Sequence, residues 1–259
     1  VTHVLAALGD DECAQPVLDT ALALAPLFEA SVIALHVREN DGRAARELAR
    51  AAAVQLREVS GTPVEEIAAA AAERDLAALV LGACKPPGEA PRPRQTAVEL
   101  ITRVQKPVAV VPAGARSPRR LVRLLVPLEG AEENSRALDQ MLALAHRQQL
   151  EIVVLHVHSP TTIPAFCDHE PHATQAWEQE FLTRHVATAH DRVSLQRRLG
   201  VPAQEIVAAA HEHDADLVIL AWGQSLDAGR AQVVSEALAH SSVPLLMVPA
   251  LAHGPDEPL

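Results

Sequence analysis

The chain repeats itself. Leu18-Asp19, Leu22-Ala23-Leu24-Ala25 and Leu35-His36-Val37 return 120 positions later as Leu138-Asp139, Leu142-Ala143-Leu144-Ala145 and Leu155-His156-Val157. Gly61-Thr62-Pro63 with Glu66-Ile67 returns as Gly200-Val201-Pro202 with Glu205-Ile206. Pro107-Val108 to Pro112 returns as Pro244-Leu245 to Pro249. The offset moves from 120 to 139 and then to 137, so insertions fall between matching blocks and not inside them. Self-similarity at one long period means two copies of one fold that differ in their loops. A functional site must then be sought in each copy, and in how the copies differ.

The 259 residues divide on this basis into a first domain at 1–113, a linker at 114–120, a second domain at 121–250 and a tail at 251–259. Each copy is long enough to bury a core of its own. His3 to Leu8 and Val32 to Val37 are short apolar runs, read as buried strands. Val17, Leu18, Ala21, Leu22 and Ala25 recur at helical spacing. Val54 to Val59 alternates apolar and polar, as an edge strand does. Pro63 and Pro202 each stand at a first helical position. Each copy thus reads β-α-β-α-β-α-β-α-β, which predicts an α/β fold with a doubly wound parallel sheet covered on both faces. The last strands, Val108 to Val111 and Leu245 to Val248, are short, apolar and closed by Pro. Pairing them would satisfy backbone groups left at an edge and predicts an intramolecular pseudo-dimer. The copies are expected as two lobes, and one continuous sheet through both would count against that expectation.

A net charge of −11 argues against a nucleic-acid partner. The absence of Tyr and scarcity of other aromatics remove the stacking platforms that single strands need. Arg116, Arg119, Arg120 and Arg123 form the one basic cluster, read as a solvated linker. Cys13, Cys84 and Cys167 show no CxxC spacing, which predicts free thiols and a reducing, cytoplasmic setting. No apolar run approaches about 18 residues, so no membrane span is predicted. Val1 opens directly onto a strand, and no signal peptide is read.

In an open doubly wound sheet, ligands bind beyond the carboxyl ends of the strands, where strand order reverses. That points to Leu8-Gly9-Asp10-Asp11 and Gly82 to Thr96 in copy one. In copy two it points to Leu128-Glu129-Gly130-Ala131 and Ala221 to Ser235. The stretches LLVPLEGAEENSRALDQMLALA, EIVVLHV, VPAQEIVAAAHEHDADLVIL and VPLLMVP resemble the universal stress protein family, with weaker counterparts in the first half. The chain looks like a tandem member. The resemblance implies an adenine-nucleotide-hydrolase-like domain of five strands in the order 3-2-1-4-5, pairing through the fifth strand. It also implies ATP, or another adenine nucleotide, as the candidate ligand. Many members bind it through Gly, two residues, Gly, nine residues, Gly and Ser/Thr, with an Asp after the first strand. Glycines there let backbone N–H groups approach phosphate.

Both copies depart from that motif. Counting from Gly82, the second glycine position holds Lys85, the third Gln95 and the hydroxyl position Thr96. The family's Asp falls on Leu8, with Gly9 and Asp10 following. In copy two the acid is assigned to Glu129, followed by Gly130. Ala221 and Gln224 replace the first two glycines; forward counting reaches Val234-Ser235, whereas counting backward from Pro244 gives Ala231-Gln232 and a shortened loop, with Gly223 nearby. Val37 and Val157 fall where family members line the adenine pocket. Lys85, Arg92 and Arg94 could meet phosphate in copy one, whereas Asp227 would repel it in copy two.

Other constellations carry less. His36 and His156 read as packed, hydrogen-bonded residues. Cys167, Asp168, His169 and His172 match no recurrent zinc spacing, so no metal site is assigned. Pro160, Ile163, Pro164, Phe166 and Trp177 are expected to pack over copy two. No GxSxG, HExxH or Walker lysine is present, and no catalytic residue is assigned. The reading is a non-enzymatic stress-response protein with degenerate nucleotide pockets, acting as a sensor or interaction module toward an unnamed protein partner. The alternative is an ATP-binding switch with slow hydrolysis. A homodimer is an expectation from the resemblance alone.

Overall fold

The computed structural model describes residues 2–38, 41–83, 95–129, 132–158, 171–186, 192–223 and 230–250. The first copy runs β1 (His3–Ala7), α1 (Ala14–Leu24), β2 (Ser31–Val37), α2 (Arg43–Ala51), β3 (Gln55–Val59), α3 (Pro63–Ala71), β4 (Leu76–Gly82), α4 (Gln95–Arg103) and β5 (Val108–Val111). The second runs β6 (Arg123–Pro127), α5 (Glu132–Arg147), β7 (Glu151–His158), α6 (Pro171–His185), β8 (Val193–Leu199), α7 (Pro202–Glu212), β9 (Leu217–Trp222), α8 (Arg230–His240) and β10 (Leu245–Pro249). Pro16 lies inside α1 but in its first turn, where a missing N–H breaks no intrahelical bond.

The strand order is β3-β2-β1-β4-β5-β10-β9-β6-β7-β8. Each half has the expected 3-2-1-4-5 order, and within each half every pairing is parallel. The halves meet antiparallel, with Leu245 opposite Val110, Leu246 opposite Ala109 and Met247 opposite Val108. Those are the two edges the sequence singled out. Their pairing corrects the picture of two lobes with separate sheets, because it fuses them into one sheet of ten strands. The duplication survives the correction, since the strand order simply reverses across the join.

Alternation along the strands explains the layers. Val4 and Ala6 enter one core and Leu5 the other, because successive strand side chains point to opposite faces. One core contains buried residues of α1, α2, α5 and α6, the other residues of α3, α4, α7 and α8. Each apolar layer contains residues from both halves. The packing units are therefore the two faces of the sheet and not the two copies.

The linker is less solvated than its arginines suggest. The Arg116 backbone donates to the Ser242 carbonyl at 2.8 Å, and its guanidinium to the Ala215 carbonyl at 3.1 Å. Arg123 belongs to β6, where it pairs with Glu151 at 2.7 Å. Two of the four basic residues thus tie elements together.

Candidate functional site

At the carboxyl ends of β1, β2 and β4 lies a cavity of about 230 Å³. Leu8, Gly9, Val37, Gly82 and Thr96 all line it, together with Asp11, Cys13, Pro63, Ile67 and Leu100. The topology brings these together because β1 and β4 are neighbours whose following helices leave on opposite faces. That is the switch point of a doubly wound sheet. Lys85, Arg92 and Arg94 fall outside the described residues, as does the side chain of Gln95.

The loop after β1 is held by main-chain bonds. Leu8 N–H donates to the Leu35 carbonyl at 2.8 Å. The Leu8 carbonyl accepts a hydrogen bond from His36 Nδ1 at 2.9 Å, which fixes the proton on Nδ1. His36 Nε2 faces Asp10 at 3.8 Å. Asp10 therefore sits beside the buried imidazole and is not among the cavity's lining residues. Gly42 makes room for this ring: a Cβ there would stand 2.9 Å from it, at a left-handed φ of 65°. Asp11 Oδ1 accepts the Cys13 N–H at 3.1 Å and so secures the start of α1.

Gly82 has a different reason from the one its motif position suggests. A Cβ on it would lie 2.9 Å from Cys13 Cβ and 3.3 Å from Val17 Cγ2. The missing side chain lets α1 close onto β4. Cys13 itself is disulfide-bonded, which corrects the expectation of free thiols. It also removes the support that unpaired cysteines gave to a reducing compartment. Cys84 and Cys167 lie outside the described residues.

The second copy repeats the frame and fills the space. Leu128 N–H donates to the Leu155 carbonyl at 2.9 Å, and His156 Nδ1 donates to the Leu128 carbonyl at 2.8 Å. Leu128 is thus the counterpart of Leu8, and Glu129 the counterpart of Gly9. This corrects the assignment of Glu129 to the family's Asp position: both halves place a buried Leu there. The second cavity measures about 60 Å³, room for only a few water molecules. Glu129, Val157, Ala221, Trp222, Val233 and Val234 line it. Trp222 follows Ala221 as Ala83 follows Gly82, and its indole lines the second cavity, whereas Ala83 does not line the first. It is 2% exposed, and its Nε1 has no hydrogen-bond partner among the described residues. The offset of 137 sets Val233 and Val234 opposite Thr96 and Ala97, so the hydroxyl is lost as well. Ser235 is not among the lining residues, nor is Gly223, whose surroundings are open. Gly130, Gln224 and Asp227 fall outside the described residues.

Beside this filled site, His158 stacks edge-on against His156 with ring centres 4.4 Å apart. Trp177 and Phe181 of α6 pack on His156 at 5.6 and 4.9 Å. Trp177 thus packs over copy two, while Cys167, Asp168 and His169 lie outside the described residues. Burial pushes the His158 imidazole below its ordinary value, and His156 and Arg197 push the same way.

The fold and the cavity define a tandem doubly wound α/β protein with a larger opening at one of its two switch points than at the other. A sequence model of the universal stress protein family matches residues 122–249, and the second half of the chain belongs to that family. A protein of unknown function from Pseudomonas aeruginosa PAO1 shares the fold at 14% identity, with 96% of this chain and 93% of that one covered and a TM-score of 0.69. A universal stress protein from Archaeoglobus fulgidus does so at 15% identity, with 98% and 97% covered and a TM-score of 0.64. No curated protein matches the chain. Among the described residues no helix is long and apolar enough to cross a membrane.

Trp222 and Cys13 were missed by motif reasoning, which looked for glycines and hydroxyls. Aligning the copies was enough to find Trp222, since no other aligned strand position changes as much in volume as Ala83 to Trp222.

Proposed function

We infer that this protein is a non-enzymatic stress-response module that takes an adenine nucleotide weakly in its first half only. The second half has become its structural partner. The observation that carries this reading is the contrast between about 230 Å³ and about 60 Å³ at equivalent places in one sheet. Ligand pockets usually begin near 300 Å³, so the first cavity is close to that range and the second far below it.

The donors present favour weak binding. Val37, Leu35 and Ile67 offer an apolar slot for a flat ring, and Thr96 offers a hydroxyl near the start of α4. A helix N-terminus attracts anions through its free N–H groups. Against this, the position that would hold a ribose hydroxyl is Leu8, buried in the core. Gly82 serves the approach of α1. No acid–base pair or nucleophile with a placed base converges on the cavity among the described residues, which supports binding without turnover.

Equilibrium titration with a fluorescent ATP analogue tests the reading. One saturable site per chain is expected, weakened at least about tenfold by Thr96→Val through the loss of a charge-assisted hydrogen bond. Two equivalent sites, or a site indifferent to Thr96→Val, would overturn it. Release of inorganic phosphate above the buffer rate would reject the non-enzymatic part.

A further inference from the structure

The far end of the sheet carries a feature that the nucleotide pocket does not use. His3 opens β1 and is 1% exposed. Among the described residues neither of its ring nitrogens has a hydrogen-bond partner. Burying two unpaired imidazole nitrogens is costly, and such groups in a folded protein call for an explanation. Both nitrogens face carboxylates. Nδ1 lies 3.5 Å from Asp75 Oδ2, and Nε2 lies 3.9 Å from Glu73 Oε2. One donor atom from each of the three residues falls within 4.8 Å of the others.

The backbone fixes this arrangement. His3 N–H donates to the Asp75 carbonyl at 2.9 Å, so residues 3 and 75 are held side by side. The β1–β4 register slips between His3 and Val4, and such an irregularity re-aims a side chain. Glu73 is oriented in turn by Arg57, whose Nη1 donates to both carboxylate oxygens at 2.9 and 2.8 Å. Each oxygen keeps a further lone pair. Metal-ligating carboxylates are commonly hydrogen-bonded by a neighbour in this way.

The second half shows what the position demands. Arg123 opens β6 where His3 opens β1, and Asp216, which aligns with Ala77, lies beside it, while Asp214 aligns with Asp75. Asp216 Oδ2 accepts the backbone N–H of Val122 at 2.7 Å and of Arg123 at 3.0 Å. The Arg123 guanidinium donates to Glu151 and to the His213 carbonyl. A permanent cation thus lies at this end of the second half. In the first half Arg57 balances one carboxylate, and the remaining charge of Glu73 and Asp75 faces an imidazole.

We propose that His3, Glu73 and Asp75 form a divalent transition-metal site at the amino end of the first half-sheet, with zinc the best-matched ion. An imidazole nitrogen and a carboxylate oxygen 3.5 Å apart can both reach one zinc at about 2.0–2.2 Å with a near-tetrahedral angle between them. Glu73, whose Oε2 faces Nε2 at 3.9 Å, turns toward the Nδ1 side to supply the third ligand, and water supplies the fourth. Glu73 and Asp75 are 38% and 53% exposed, so the ion enters from solvent on the carboxylate side. The site joins the start of β1 to the turn before β4, as Arg123 and Asp216 join the matching elements of the second half.

Isothermal titration of the full chain with zinc chloride tests this, run in parallel on Asp75→Asn and His3→Asn. Asp75→Asn keeps the backbone carbonyl that binds residue 3, so it tests ligation even where His3→Asn does not fold. The expected result is a zinc equivalent in the parent chain that weakens at least about tenfold in Asp75→Asn. Zinc should also raise the melting temperature of the parent more than that of Asp75→Asn. Magnesium, which prefers all-oxygen sites, should not compete for that equivalent. Equal zinc uptake by the parent and Asp75→Asn, no uptake by either, or displacement by equimolar magnesium would each overturn the proposal. Cys167, His169 and His172 offer donors elsewhere in the chain, which is why the decisive quantity is the difference between variants.

Discussion

Replacing Trp222 with Ala should reopen the second cavity, and its energetic cost can be worked from the structure. The indole is 2% exposed, and truncating a core Trp to Ala typically costs about 3–5 kcal/mol. Its Nε1 has no partner among the described residues, so the parent already bears the penalty of a buried unmade hydrogen bond, about 1–3 kcal/mol. Removing the group recovers that part, which leaves a net loss near 2 kcal/mol. Trp222→Phe separates the two effects. It keeps most of the ring and discards the N–H, and should lie within about 1 kcal/mol of the parent. Urea denaturation followed by circular dichroism reads both values. The reopened cavity should also approach the first in size and take up an additional equivalent of small apolar probe. A Trp222→Ala chain as stable as the parent would refute the reasoning. So would Trp222→Phe being as damaging as Trp222→Ala.

Four further outcomes follow from particular contacts. Gly82→Ala forces a Cβ to 2.9 Å from Cys13 Cβ, so it should cost about 1–3 kcal/mol by overpacking, read as a lowered denaturation midpoint. Ala221→Gly, at the matching place, should cost about 1 kcal/mol or less, from backbone entropy. Leu246→Ala, at the fully buried centre of the join opposite Ala109, should cost about 2–5 kcal/mol and lower the midpoint of both halves together. Burial lowers the His158 proton affinity in the folded chain, so the unfolded chain binds that proton more readily. Stability should therefore fall as pH drops below about 6.5, and fall less steeply in His158→Gln, as thermal melts at pH 7 and pH 5.5 would show.

Element order, strand order and the pairing edges were legible because they follow from apolar periodicity and from a block structure that repeats. Val108 to Val111 could be named as an edge since a four-residue apolar run closed by Pro has no other place to satisfy its backbone. The fused sheet followed from that pairing, although two lobes were expected. The site was legible only in part. Leu8, Gly9, Gly82 and Thr96 were placed by topology and Val37 by the family resemblance, and all five line the cavity. The reason for Gly82 was not legible, because a glycine's purpose depends on what approaches it, here Cys13 from another element. Glu129 was misplaced by one position because an acid beside a glycine resembled the motif more than Leu128 did. The repeat offset of 120 already sets Leu128 opposite Leu8, and their matching main-chain bonds confirm that register. His3 gave no signal in the sequence, since Glu73 and Asp75 reach it only through the β1–β4 pairing.

Photo-crosslinking with an azido-adenine nucleotide, followed by peptide mapping, tests the central claim most directly. One open pocket and one filled pocket predict saturable labelling confined to the first half, on peptides containing Val37, Ile67 or Thr96, and lost in competition with ATP. Labelling shared equally between the Val37 and Val157 peptides, or confined to the second half, would contradict it.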